Sequence, residues 1–280
     1  MTTTLRPAQP LQRNSDGTRS RTYEVRVNNR RVGSLELATR SAAQPEIGVI
    51  RGLWIDEPDR RRGRGTVGAL AAEEVLRSWG CTSIAVSVPA DAAPALRMAE
   101  TLGYRVTGRV QVKEVPAEPP ALPEGSSGRP MSQAEYEAWV ERAVVEYSHH
   151  LVTPGMTAER ALAASRAEHV VLLPAGRDTP GAALLLLQAP DGAILGTLWV
   201  GERDLPGFGP IPYVWDVDVA AEHRRQGHGR TLMLLAEHTA LAAGARRLGL
   251  HVHEDNTPAR RLYASLGYRD TTVNARKELI

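Results

Sequence analysis

The sequence predicts an α/β protein whose fold occurs twice along the chain, and three observations carry that reading. A strand, an Arg- and Gly-rich turn and an apolar-periodic helix follow one another at 213–243, and the same succession stands at 47–78. Gly63 and Gly227 are 164 residues apart, and Gly103 and Gly267 share that offset. Between these anchors Arg60, Arg61, Gly65, Leu70, Glu73, Gly80, Asp91, Pro94, Ala95, Arg97, Leu102 and Tyr104 recur at the same offset without a gap. Self-similarity that preserves turn glycines, a helix-start proline and core positions points to two domains of one architecture.

Residues 1–21 are polar, with scattered Pro, Arg and Gly, and are expected to form a flexible arm. Tyr23–Val27 and Val32–Leu37 alternate around Asn28-Asn29, a β-hairpin pattern. Ile47–Ile55 is a mostly apolar strand that runs into Arg60-Arg-Arg-Gly-Arg-Gly65. Val67, Leu70, Ala71 and Val75 then form one stripe of a helix over 66–78, with Gly80 at its end. Thr82–Val88 is a β-branched strand, Pro94–Leu102 a short helix, and Tyr104–Val115 an expected closing hairpin. Residues 22–115 thus form a shortened first domain, and the proline-rich stretch 116–131 reads as a linker.

The second domain, 132–280, opens with two helices the first lacks, Ser132–Ser148 and Thr157–His169, the latter with Thr157 as its cap. Strands at 181–188 and 194–201 flank Asp191-Gly192, a hairpin signal, and 201–212 is rich enough in Gly and Pro to read as a loop. The strand Tyr213–Val219, the basic turn, a helix over 231–243, a strand at Leu248–His253 and a helix opened by Thr257-Pro258 repeat the first half. Residues 268–280 close the chain.

Composition narrows the class. A net charge of +2 argues against general nucleic-acid affinity, while the basic residues gather at the two turns. One cysteine, Cys81, excludes an internal disulfide framework and reads as a small buried residue. No apolar run approaches the ~20 residues of a membrane span, and the polar N-terminus lacks the apolar core of a leader. A cytoplasmic protein without membrane or nucleic-acid partners is expected, as a monomer or a homodimer.

The turn from Val219 to Arg230 has the composition of a phosphate cradle. First-turn N–H groups of a helix lack intrahelical partners, and the helix dipole favours an anion there. Gly227 and Gly229 remove Cβ atoms that would block close approach, and Arg224, Arg225 and Arg230 add forked cationic donors around Gln226 and His228. Arg60, Gly63 and Gly65 keep the same device in the first copy.

Arg224-x-x-Gly227-x-Gly229 after a strand, followed by Asn256, Ala259, Leu262, Tyr263, Gly267 and Tyr268, resembles the GCN5-related N-acetyltransferases (GNAT). The likeness covers 132–280 in full and 22–115 in shortened form, and the tandem arrangement resembles mycothiol synthase and several antibiotic-modifying acetyltransferases. It implies two tandem GNAT-type domains, each a mixed, mostly antiparallel sheet flanked by helices. It also implies acetyl-CoA as co-substrate, with its pyrophosphate on the turn and its pantetheine arm along the backbone near Val217 and Val219. Asn256 would lie near that arm, and Tyr263 would stand beside the thiol as proton donor. A strand N–H at Val219 would stabilise the developing oxyanion.

An alkylammonium acceptor titrates near ~10.4, so the reaction needs a proton acceptor. His251, where relatives carry a catalytic Glu, and Asp216 are equal candidates, with Asp218 behind them. A metal site on His251, His253 and Asp255 can be written from composition, but the family needs none and none is expected. Trp139 and Trp199 read as core; Trp215, Tyr213 and Phe208 as acceptor-site candidates. The first copy has Ala99, Ala92, Ser87 and Gly52 where the second has Tyr263, Asn256, His251 and Asp216, so it is expected to lack chemistry. The reading is an N-acetyltransferase moving acetyl to a primary amine of a small molecule by direct attack, active in the C-terminal domain. The alternatives are a protein or peptide N-acetyltransferase and a non-catalytic acyl-CoA sensor.

Overall fold

A computed structural model describes residues 3–15, 17–41, 44–152 and 156–279. In chain order the elements are β1 (Thr3–Pro7), β2 (Gln12–Arg13), β3 (Arg19–Val27), β4 (Arg30–Thr39), β5 (Ile47–Ile55), α1 (Arg64–Ser78), β6 (Ser83–Pro89), α2 (Ala93–Thr101) and β7 (Arg105–Glu114). Then come β8 (Ser127–Pro130), α3 (Gln133–Leu151), α4 (Ala158–Leu172), β9 (Ala183–Gln188), β10 (Ile194–Leu205) and β11 (Gly209–Val219). The chain ends with α5 (His228–Ala242), β12 (Arg247–His253), α6 (Thr257–Ser265) and β13 (Arg269–Glu278). This is the expected mixed α/β class, and no described helix is long and apolar enough to cross a membrane.

Contacts divide the chain into two compact units, 1–108 with 272–280, and 109–271. In the first unit β1, β3, β4, β5 and β6 lie side by side, antiparallel except for the parallel pair β5–β6. Asn28 and Asn29 both adopt positive φ between β3 and β4, the conformation a two-residue hairpin turn requires. Tyr23, Val25 and Val27 alternate inward from β3 and pack with Leu35, Leu37, Leu76 and Ile84. The sheet is completed by the end of the chain: Thr272–Glu278 of β13 pair antiparallel with β6, from Thr272↔Pro89 to Glu278↔Ser83.

In the second unit β8, β9, β10 and β11 are antiparallel neighbours, and β12 joins β11 in parallel. Its core gathers Leu198, Val200, Val214, Leu232, Met233, Leu248 and Leu250 between the sheet and α5. On the other face α3 contributes Trp139 to a cluster with Leu184, Leu186 and Trp199. α3 opens on a capping box, Ser132 with Glu135, and Thr157 caps α4 through the Arg160 N–H.

Four local expectations are revised. The arm at 1–21 carries β1, paired with β3 over Thr3↔Val27 to Pro7↔Tyr23, because its Thr-Thr-Leu run has an open strand edge to extend. The linker ends in β8, paired with β9. The loop expected over 201–212 is mostly strand: β10 continues to Leu205 and β11 starts at Gly209, so the glycines serve a tight tip, with Gly207 and Gly209 at positive φ. β7 is one strand rather than a hairpin, and its residues 109–114 belong to the second unit, so the compact units do not divide at 115 and 132.

Two buried ion pairs accompany that assignment. Glu73, 4% exposed, holds the Lys277 Nζ at 2.6 Å beneath the Tyr104 ring. Glu237, fully buried, holds the Lys113 Nζ at 2.5 Å beneath the Tyr268 ring. Lys113 and Lys277 are again 164 residues apart, yet each neutralises the glutamate of the opposite sequence copy. A buried carboxylate without such a partner is costly, so these lysines fix which closing strand completes which unit.

Candidate active site

The site begins at the N-terminus of α5. Gly227 is its N-cap, at φ 91°, ψ −7°, and no side chain caps the first turn. α3, α4 and α6 are capped by side chains, whereas α1, α2 and α5 are not. Arg225 stands at φ 61° in the preceding turn, where left-handed geometry is costly for a non-glycine residue. Arg224 braces that turn: its Nε donates to the Val219 carbonyl at 2.9 Å, and its Nη2 lies 3.3 Å from Asp218. Gln226 donates to the Glu222 carbonyl, Arg230 donates to Ser265 Oγ at 2.6 Å, and the His223 and His228 rings stand 6.1 Å apart. Gly229 is hemmed by Leu262 and Val219, where a Cβ would meet side-chain carbons at 3.3 and 3.9 Å.

Next to this turn the sheet opens. β11 and β12 pair only over Tyr213↔Gly249 and Val214↔Leu250, while β11 runs on to Val219 and β12 to His253. The unpaired stretch of β11 contains Val217 and Val219, and that of β12 begins at His251. On the opposite edge β11 has a bulge: Trp199 pairs with Asp216 and Val200 with Val214, so Trp215 is the extra residue.

Asp216 is the most perturbed acid of the opening. Its carboxyl is raised to about 6, first by burial and then by Asp218 and Glu146. The Trp139 indole N–H, which donates to Oδ2 at 3.2 Å, and the Val217 N–H work in the opposite direction. Tyr263 on α6 is 6% exposed, and its phenol is raised to about 12 by burial and by the Asp216 charge. Asp216 and Tyr263 are therefore electrostatic neighbours, one ionised above about pH 6 and the other protonated throughout the neutral range.

Other expected residues have partners of their own. His251 makes an edge contact with His253, centroids 4.9 Å apart, and His253 stacks on His150 at 4.4 Å with rings 12° from parallel. The Asn256 carboxamide is used locally, accepting the Ala259 N–H at 3.2 Å as the cap of α6. Among the described residues no group of three or more His, Cys, Asp or Glu is arranged to hold a metal ion. Cys81 is buried, and burial raises its thiol. Trp139, expected in the core, also donates to Asp216, and the Glu146 charge raises the same carboxyl. The signal for Trp139 was available only after folding, because its partner lies 77 residues away.

The first unit repeats the turn but fills it differently. Arg60 donates to the Ile55 carbonyl at 2.8 Å, as Arg224 does to Val219, and lies 4.3 Å over the Trp54 ring. Gly63 is again an uncapped, positive-φ N-cap, and Gly65 sits against Met98. Here, however, the first residue of the helix is Arg64, buried and ion-paired with buried Asp59, which Arg30 also grips through both carboxylate oxygens at 2.8 Å. The second unit has His228, His223 and Ile194 at those positions, and no such carboxylate. Ser87 in the His251 position donates to Asn274.

Comparison with known proteins accords with this geometry. The family model "Acetyltransferase (GNAT) family" matches residues 3–104 and again 154–268. A mycothiol acetyltransferase of Thermobispora bispora is 30% identical over 220 residues, 76% of this chain and 70% of that one. The Bacillus subtilis protein YycN, an uncharacterized N-acetyltransferase, is 28% identical over 152 residues, 54% of this chain and 96% of its own length. Among solved structures, a GCN5-related N-acetyltransferase from Sphaerobacter thermophilus superposes with a TM-score of 0.59 at 23% identity, over 92% of this chain and 80% of that one. A tandem GNAT protein from the clavulanic acid biosynthesis pathway superposes with a TM-score of 0.51, also at 23% identity, over 93% and 83%.

Proposed function

The chain belongs to the GNAT acetyltransferase family, and from that premise we propose that its second unit moves an acetyl group from acetyl-CoA to the primary amine of a small molecule. The observation that carries the assignment to this unit is the Asp216–Tyr263 pair; the first unit also has an uncapped helix N-terminus but has Gly52 and Ala99 at the positions of the pair.

When bound, acetyl-CoA supplies an acyl group already activated as a thioester. The open N–H groups at the start of α5 hold its pyrophosphate, assisted by the exposed Arg225. The unpaired edge of β11 at Val217 and Val219 lies along its arm. Asp216 accepts the proton that the amine sheds as its N–C bond forms, when that nitrogen becomes strongly acidic. Tyr263 keeps its proton near neutrality and gives it to the departing sulfur. His251 begins the unpaired stretch of β12, with His253 against its ring and His150 stacked on His253.

The test is release of CoA thiol from acetyl-CoA across amines, aminosugars, amino acids and peptides, with Tyr263→Phe alongside. Turnover with a small amine, reduced about 10²–10⁴-fold in the variant, is expected. Turnover confined to peptides would move the assignment to a protein acceptor. Tight acetyl-CoA binding without any release would favour a sensor.

A further inference from the structure

We propose that the acceptor carries an anionic group, a carboxylate, which docks on Arg203, Trp199 and Trp215 while its amine meets Asp216. This rests on the acetyl-transfer reading above and adds the chemistry of the acceptor's far end.

β10 and β11 present one face on which the Trp199 and Trp215 indoles and the Arg203 guanidinium gather beyond Asp216. Trp199 is 4% exposed, and its indole N–H has no hydrogen-bond partner. Leaving a buried donor unsatisfied is unfavourable, and an incoming acceptor atom would relieve it. Trp215, the bulge residue, stacks on Trp199 with centroids 5.8 Å apart. Both indole nitrogens converge over Gly201: a Cβ built there would lie 2.9 Å from the Trp215 nitrogen and 3.5 Å from that of Trp199. Any side chain at 201 would therefore displace the pair, which gives that glycine a reason in the site.

Arg203 follows on the same strand face and is half-buried. Its guanidinium lies 4.7 Å from the Tyr213 ring centre and 5.3 Å from that of Trp215, and its Nη1 donates to the Tyr213 hydroxyl at 2.8 Å. No carboxylate forms an ion pair with it among the described residues. Burial raises the Tyr213 phenol to about 12 against the opposing effect of Arg203, so the hydroxyl keeps its own proton to donate. A partly desolvated guanidinium with neutral neighbours and two unused indole N–H groups selects a planar anion.

The register sets the length of the acceptor. Trp199 is the cross-strand partner of Asp216. At ~3.4 Å per residue, Gly201 and Arg203 lie roughly 7 and 14 Å further along the strand. An amine held at Asp216 thus reaches these donors if an extended chain separates it from its carboxylate. An ω-amino acid such as 6-aminohexanoate or 8-aminooctanoate has that shape, and pentylamine and heptylamine lack only the anionic end.

The experiment uses the full chain with those four compounds in two readouts. In CoA-thiol release, the amino acids are expected to exceed the matching amines at least tenfold in kcat/KM, with the difference in KM. Arg203→Gln is expected to collapse that ratio to below threefold, and Arg203→Lys to keep part of it. Equal rates for acids and amines in the unaltered protein, or a ratio unchanged in Arg203→Gln, would overturn the proposal. The second readout needs no turnover. Indole N–H resonances of Trp199 and Trp215, identified from Trp→Phe variants, should move with 6-aminohexanoate and stay in place with pentylamine. If acetate moves them at the same concentration as 6-aminohexanoate, or if nothing moves them, the acceptor subsite is refuted. Shifts without CoA release would uphold the subsite and refute acetyl transfer, so the two failures are distinct.

Discussion

Removing the Lys113 charge tests why the closing strands are assigned as they are. Glu237 is fully buried on α5, and the Lys113 Nζ at 2.5 Å is its cationic partner. Lys113→Met keeps most of the aliphatic stem and deletes the charge, leaving the carboxylate uncompensated. Breaking such a pair costs about 3–5 kcal/mol, whereas replacing both partners by neutral groups is close to neutral. Lys113→Met should therefore lower the melting temperature of the second unit by roughly 6–20 °C, at ~2–4 °C per kcal/mol for a domain of this size. Lys113→Met with Glu237→Gln should recover most of that loss. The assay is thermal and urea unfolding followed by tryptophan fluorescence, since Trp139, Trp199 and Trp215 report on the second unit and Trp54 and Trp79 on the first. Lys277→Met should show coupling to Glu73→Gln and, within about 0.5 kcal/mol, none to Glu237→Gln. Coupling of Glu237 to Lys277 in place of Lys113 would refute the strand assignment.

Three further outcomes follow from the site. Gly227→Ala forces a Cβ into φ 91°, a cost of ~1–2 kcal/mol that the turn escapes by leaving its binding geometry; the acetyl-CoA Kd should rise about 5–30-fold by titration calorimetry. Trp139→Phe removes a donor to the Asp216 carboxylate, so the acid limb of kcat/KM should move upward from about 6 by roughly one to two units, while a limb that stays put would deny the hydrogen bond a role. Calorimetry should count one acetyl-CoA per chain, because Asp59 already supplies a carboxylate to Arg64 at the first turn; two equivalent sites would contradict this.

Much of the fold could be read because it depends on local chemistry. The Asn28-Asn29 turn, the Asp191-Gly192 hairpin, the Thr157 cap and both Arg/Gly turns are set by residues within a few positions of one another. What escaped depends on partners brought from far along the chain. Lys113 and Lys277 obey the same 164-residue repeat as the motifs, but nothing local says that each pairs with the opposite copy's glutamate. The glycines at 201, 207 and 209 read as loop because composition cannot tell a glycine under an indole from a glycine in a turn. Alternation puts Asp216 and Asp218 on one face, but burial, the Trp139 indole N–H and the Glu146 charge, which together set the Asp216 carboxyl, come from residues far along the chain. Arg224, expected to donate to phosphate, also braces the turn through the Val219 carbonyl, a bond that depends on the fold of residues five positions back.

The pH dependence of kcat/KM for acetyl transfer, compared between the unaltered protein and Asp216→Asn, reads out whether Asp216 is the base. Burial raises the Asp216 carboxyl from 3.8 to about 6, so the base is ionised above that pH and lost as pH falls through it. With an alkylamine acceptor titrating near ~10.4, log kcat/KM should rise with slope two below about pH 6 and slope one above it. Asp216→Asn should keep slope one throughout, at a rate lower by about 10²–10⁴-fold above pH 7. A variant that retains both the rate and the break near pH 6 would contradict the assignment of Asp216 as the base.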